Sequence, residues 1–195
     1  MSLREEKKAA TRCAISEAAV TLLVEEGMGA VTVAQVSERA GVSARTFHNY
    51  FADIDEAYYE FLGKVFATIA EQIAAMPADM SAAEVMESII ADALAEEGFD
   101  LYSASTLVII GDQARAASSA PPTEETISQL ATPLIESMRE RVPGASFFDA
   151  EVLLNAFGIA GATAVRAYLS LPEPRDPEEG RKLVRRAYRV LHKAV

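Results

Sequence analysis

A chain whose apolar residues recur at helical spacing, in segments opened by capping residues and closed by glycine or proline, can bury its apolar surface only by packing helices. The first segment runs from about Arg4 to Glu26 with Ile15, Ala18, Ala19, Leu22 and Leu23 on one face, and Gly27 ends it. Thr32 and Gln35 form a capping box that opens a second helix, with Val33, Val36 and Ala40 on one side and Gly41 at its end. Ser43 is placed to cap a short third helix with Phe47, Tyr50 and Phe51 inward. Asp53 and Glu56 open a long helix striped by Phe61, Leu62, Val65, Phe66, Ile69, Ile73 and Met76. Ser81 and Glu84 open the next, with a stop at Gly98. Further helices are expected from Leu101 to Ser118, ended by Pro121-Pro122, and from Thr123 to the breaker Pro143-Gly144. Two more are expected from Asp149 to Ser170 and from Asp176-Pro177 onward. No run of four to eight residues alternates as a half-buried strand does. The expectation is an all-α fold of about nine helices.

Composition narrows the function classes. At 195 residues the chain is long enough to bury a core without disulfides, and its single cysteine, Cys13, cannot form one internally. One cysteine and two histidines leave too few soft ligands for a structural zinc site. The start, Met-Ser-Leu-Arg-Glu-Glu-Lys-Lys, lacks the apolar core of a secretory leader. The longest uncharged apolar stretch, Val152 to Val165, falls short of the ~18 residues expected of a membrane helix. A cytoplasmic protein without a membrane partner is expected. The formal charge of −11 is uneven: residues 1–51 hold six basic and six acidic residues, and residues 52–195 supply the deficit. The first quarter alone is not acidic on balance, which keeps nucleic acid open as a partner there.

Helix, tight turn, helix is the geometry that sends a second helix into the DNA major groove. Residues 32–51 have that form. Arg45 lies at i+3 and i+4 from His48 and Asn49, so the three share a face opposite Phe47 and Phe51. Arg45 can donate bidentately to guanine, Asn49 can pair with adenine, and the Thr46 methyl can meet thymine. Ser43 and the amides at the start of that helix, from Ala44 on, suit phosphate, as do Thr32 and Tyr50. Geometry alone also allows a short surface helix in an ordinary bundle.

The residues Thr11-Arg12, Ile15, Ala18-Ala19, Leu22, Glu25-Glu26-Gly27, Thr32-Val33, Val36, Ala40-Gly41-Val42-Ser43 and Thr46-Phe47-His48-Asn49-Tyr50-Phe51 resemble the N-terminal domain of TetR-family transcriptional regulators. The resemblance covers about residues 8–68. It implies a three-helix DNA-binding domain over residues 1–52, with Arg12 among the DNA-binding residues, and a hinge helix from near Asp53. It also implies a ligand-binding and dimerisation bundle over residues 53–195. The sequence departs from the family where a lysine usually follows the recognition helix, since Ile54, Asp55 and Glu56 stand there, and where His48 replaces a phosphate-contacting tyrosine. Both changes remove expected phosphate contacts.

Beyond residue 60 the candidates come from polar residues set in apolar helices. Met86, Ile90, Thr106, Ile109, Asp112, Gln113, Leu134 and Met138 are the candidate ligand contacts, with Arg115 nearby, although methionine and isoleucine there also serve simply as core. In the segment 149–170, Gly158, Gly161 and Ala162 are small enough for another helix to approach; a buried core helix would explain them, while the resemblance implies a dimer interface with Asn155, Gly158, Gly161, Ala162 and Val165 as candidate contacts. The last helix carries Arg181, Arg185, Arg189 and Lys193 in i+4 steps opposite Leu183, Ala187 and Leu191, which reads as a solvated face. His48 and His192 lie far apart and no nucleophile elbow or phosphate-cradling loop occurs, so neither catalysis nor a cofactor is expected. The sequence therefore reads as a homodimeric, inducer-responsive repressor of a pseudo-palindromic operator. A helical ligand-binding or scaffold protein without DNA binding is the alternative.

Overall fold

The computed structural model describes residues 2–27, 30–94, 101–102, 104–117 and 124–194, without the side chains of 104–105, 113–117, 124–125, 127 and 194. Among these residues there are nine helices and no strand: α1 Leu3–Glu26, α2 Val33–Arg39, α3 Ala44–Tyr50, α4 Ile54–Ala75, α5 Ala82–Ala93, α6 Ala104–Ala117, α7 Glu124–Arg141, α8 Phe147–Leu169 and α9 Pro177–Ala194. The expected stops at Gly98 and Pro121-Pro122 and the expected start at Thr123 lie outside the described residues. One start moves. α8 begins at Phe147 rather than Asp149, because Ser146 is the N-cap and Asp149 is the third residue of its capping box, its carboxylate accepting from the Ser146 amide at 2.8 Å. That bond and the one from the Ser146 hydroxyl hold the Asp149 carboxyl below its ordinary pKa.

The chain divides into two compact units. The first holds residues 1–65 and 109–123, and the second 66–108 and 124–195. The expected boundary falls after residue 52, whereas compactness assigns the first part of α4 to the N-terminal unit. In that unit Ile15, Ala18, Ala19, Leu22, Val36, Phe47, Phe51 and Ala57 form one buried cluster. Cys13 is half-buried there and donates to Glu17 at 3.3 Å; burial, seconded by that bond, raises its thiol and makes it less reactive.

In the second unit the core is built on α8 and α9. The Tyr188 hydroxyl donates to the Phe157 carbonyl at 3.0 Å and the two rings stack 5.9 Å apart. Burial raises this phenol above its usual range. Gly161 explains the fit: a Cβ there would come within 2.2 Å of Ile90 Cδ1 and 3.5 Å of Tyr188 Oη. This corrects two expectations, since Gly161 and the buried Val165 serve the interior of the protomer rather than a surface offered to a partner. By length and composition α8 could cross a bilayer, more than its 14-residue uncharged stretch suggested. It packs Ala150, Phe157, Gly161, Ala164, Val165 and Tyr168 inward instead, as a core helix does.

A guanidinium closes the end of α4. Arg141, on the last turn of α7, donates through Nη2 to the carbonyls of Ile73 (2.6 Å) and Met76 (2.9 Å). Nη1 donates to Pro77 (2.8 Å) and Met80 (3.3 Å). The last carbonyls of a helix have no intrahelical donor and carry partial negative charge, so one cation satisfies several acceptors together. Arg141→Met keeps the aliphatic stem and removes every donor. It should lower stability by roughly 2–3 kcal/mol and the thermal midpoint by about 2–4 °C for each kcal/mol. Arg141→Lys, a point charge without the planar fork, should recover only part of the loss in the same calorimetric scan.

Candidate nucleic-acid interface

Two capped helices and a glycine turn shape the site. At the start of α2 the Thr32 hydroxyl accepts from the Gln35 amide at 3.3 Å, and the Thr32 amide donates to the Gln35 side chain at 2.9 Å. Gln35 also donates to Glu26 at 2.8 Å, and Arg39 grips Glu25 through two bonds of 2.7 and 3.2 Å, so both ends of α2 are tied to the end of α1. The Arg39 bonds hold the Glu25 carboxyl below its usual pKa. Gly41 adopts φ +67°, the left-handed region that glycine enters without steric cost. The Val42 amide then returns to the Ser37 carbonyl at 2.9 Å, and Ser43 caps α3 by accepting from the Thr46 amide at 3.0 Å.

α3 is anchored by rings on one side and open on the other. Phe47 and Phe51 are buried with centroids 6.0 Å apart, and His48 meets the Phe47 ring edge-on at 5.3 Å. Ala44, Arg45, His48 and Asn49 are exposed, and among the described residues neither Arg45 nor Asn49 engages its side chain in a hydrogen bond or ion pair. These two residues stand where the spacing put them. Thr46 and Tyr50 are half-buried, and the Thr32 and Ser43 hydroxyls already serve the backbone as caps.

Arg12 makes contacts inside the protein. Its Nη1 donates to the Tyr50 carbonyl at 3.0 Å, its Nε pairs with Glu60 at 2.9 Å, and its guanidinium carbon lies 4.5 Å from the centre of the Phe51 ring. Glu56, 4.0 Å from Arg12 Nη2, accepts from the Ala52 amide at 2.7 Å. The guanidinium thus joins α1 to the end of α3 and the first turns of α4, with Nε and Nη1 engaged within the protein. The acids after the recognition helix have an internal use as well: Asp53 accepts from the Glu56 amide at 2.8 Å. Sequence spacing could not reveal a contact between residues 38 positions apart, although the acidic pair Glu56 and Glu60, one helical turn apart, is its trace.

The family model for bacterial regulatory proteins of the tetR family matches residues 15–56, which span the two capped helices and the glycine turn. That stretch is a tetR-family domain. HTH-type transcriptional regulators of Mycobacterium bovis and Mycobacterium tuberculosis are each 24% identical to it over 184 residues, covering 87% of this chain and 89% of theirs. Solved structures share the fold. FadR from Bacillus subtilis, in complex with stearoyl-CoA, aligns at a TM-score of 0.63 with 16% identity, covering 93% of this chain and 98% of that one. The multidrug binding protein EbrR, complexed with ethidium, aligns at 0.57 with 18% identity, covering 91% and 98%. The chain is thus similar to HTH-type transcriptional regulators, with α2, the Gly41 turn and α3 in the place of the helix-turn-helix.

The other candidates fall into separate groups. Met86, Leu134 and Met138 fill the core of the second unit, with Ile90 packed against it, and Thr106 is buried in the same unit. Ile109 and Asp112 belong to the first unit, and the Gln113 and Arg115 side chains lie outside the described residues. Asn155 is exposed, while Gly158 and Ala162 are half-exposed. Among the described residues no three His, Cys, Asp or Glu side chains are placed to hold a metal ion.

Proposed function

We propose that this regulator is a homodimeric repressor that reads a pseudo-palindromic operator through α3 and is released from it by a small-molecule inducer. The observation that carries the reading is the exposed, unengaged pair Arg45 and Asn49 on a helix whose opposite side is fixed by Phe47 and Phe51. A fixed helix with free donors is preorganised for base edges, because little order is lost on binding. Residues 1–52 are the DNA-reading part and 53–195 the part that senses and dimerises, acting in the cytoplasm where the operator is. No catalytic role is assigned.

The proposed dimer face lies on α8 and α9. Phe148, Val152, Asn155 and Ile159 form an exposed stripe at helical spacing on α8, and Val190 is exposed on α9. Beside them a groove of about 490 Å³ is lined by Ala156, Ile159, Ala160, Thr163, Arg186 and Val190 among others. Apolar surface of this kind, left open on a helix pair, is what an isologous partner would cover. The inducer is proposed to enter the second unit among α5, α6 and α7, where Met86, Ile90, Thr106, Leu134 and Met138 stand. The similar structures solved with stearoyl-CoA and ethidium, each with a large apolar part, support a ligand that carries one too.

Three measurements test the proposal. A duplex selected by the full chain from a random DNA library should lose about 1–3 kcal/mol of binding free energy when Arg45→Ala or Asn49→Ala is titrated, with relaxed preference at one base pair per half-site. An unchanged affinity and preference would remove α3 from the role of reader. Ile159→Glu should move the protein from dimer toward monomer in light scattering with helicity intact, whereas a fully dimeric variant would place the interface elsewhere. Any compound that raises the melting temperature in a metabolite screen should weaken duplex binding about 5–150-fold, the range of a 1–3 kcal/mol coupling. A stabilising compound that leaves duplex affinity untouched would separate its site from the switch.

A further inference from the structure

We infer that the first turns of α1 form a preformed cationic arm that binds DNA phosphates beyond the end of the recognition helix; the inference rests on the DNA-binding reading above. Every residue from Ser2 to Ala10 is exposed, although Leu3 onward is helical. A helical stretch without packing must be held locally, and here it is. Ser2 accepts from the Glu5 amide at 3.3 Å and Glu5 accepts from the Ser2 amide at 2.7 Å, a capping box that opens the helix.

The capping box also sorts the charges. Glu5 is committed to the helix start, whereas Arg4, Lys7 and Lys8 have no ion pair among the described residues. At about 100° per residue, Arg4, Lys7 and Lys8 fall within roughly a third of the helix circumference, while Glu6 lies about 200° from Arg4 on the far side. The basic face thus carries no acid of its own.

Arg12 fixes where this face leads. Arg4, Lys8 and Arg12 form one i+4 row, and Arg12 touches the carbonyl of Tyr50, the last residue of α3. At about 1.5 Å of rise per residue, Lys8 and Arg4 continue that row by roughly 6 and 12 Å past the end of the recognition helix. A duplex held against Arg45 and Asn49 continues on either side of its half-site, and its flanking backbone is the polyanion that such a row suits. Contacts of this kind add affinity and register without reading bases. They also supply cations in a chain whose departures at His48, Ile54, Asp55 and Glu56 remove phosphate contacts from the recognition helix itself.

The test uses the full chain and the duplex that it selects. Binding would be titrated across a range of salt for the wild type and for Arg4→Gln/Lys7→Gln/Lys8→Gln, with helicity checked by circular dichroism. The slope of log K against log salt should fall by about 0.9 for each phosphate that the arm neutralises, with the selected sequence unchanged. Arg4→Lys/Lys7→Arg/Lys8→Arg, which keeps the charge, should keep the slope. So should Lys182→Gln/Arg185→Gln/Lys193→Gln, which removes three cations from α9. Equal slopes for wild type and the arm variant, or an equal fall in the α9 variant, would overturn the arm. If the wild type selects no duplex at all, the DNA-binding reading itself fails and the arm falls with it.

Discussion

A helix leaves its first amides and last carbonyls without partners inside the helix, and an all-helical chain must supply those partners at every joint. This chain does so with side chains chosen for each polarity. Ser2, Thr32, Ser43, Ser81 and Ser146 accept from amides at helix starts, and four of the five are answered by a glutamate, glutamine or aspartate three residues on. At two helix ends the donor is a guanidinium from a distant element: Arg12 on the last carbonyl of α3 and Arg141 on the last turn of α4 and the loop beyond it. The caps define where helices begin, and the two arginines convert helix ends into tertiary contacts.

That division has a functional side. The short α3 has only seven residues, too few to be stable alone, so its orientation comes from what grips it. Phe47 and Phe51 hold its inner face, Ser43 holds its start, and Arg12 holds its end while also bonding Glu60 on α4. The side chains left over on the outer face, Arg45 and Asn49, are then free for a ligand because the helix needs nothing further from them.

Signals carried by neighbours in sequence were legible. The capping boxes, the glycine at the turn and the 3.6-residue stripes are local, and they located α1 to α4 and the exposed side of α3 closely. The start of α8 was misplaced by two residues because Asp149 reads as a cap until Ser146 is seen to precede it at capping-box spacing. Long-range contacts were not legible. Nothing near Arg12 distinguishes a phosphate contact from a bond to Tyr50, and nothing near Arg141 announces four carbonyls more than 60 positions away. Gly161 shows the same limit in packing: a small residue on a helix signals a close approach, but only the fold says that Ile90 and Tyr188 are the ones approaching.

The uneven charge along the chain acts before any contact forms. Residues 1–51 are neutral on balance, and the whole deficit of −11 lies in residues 52–195. A duplex is therefore repelled on balance by residues 52–195 and not by residues 1–51, which favours approach through the N-terminal segment. Non-specific binding depends almost wholly on neutralised phosphates, and the acidic residues of 52–195 weaken it. Discrimination then falls to the few side chains that can reach the bases.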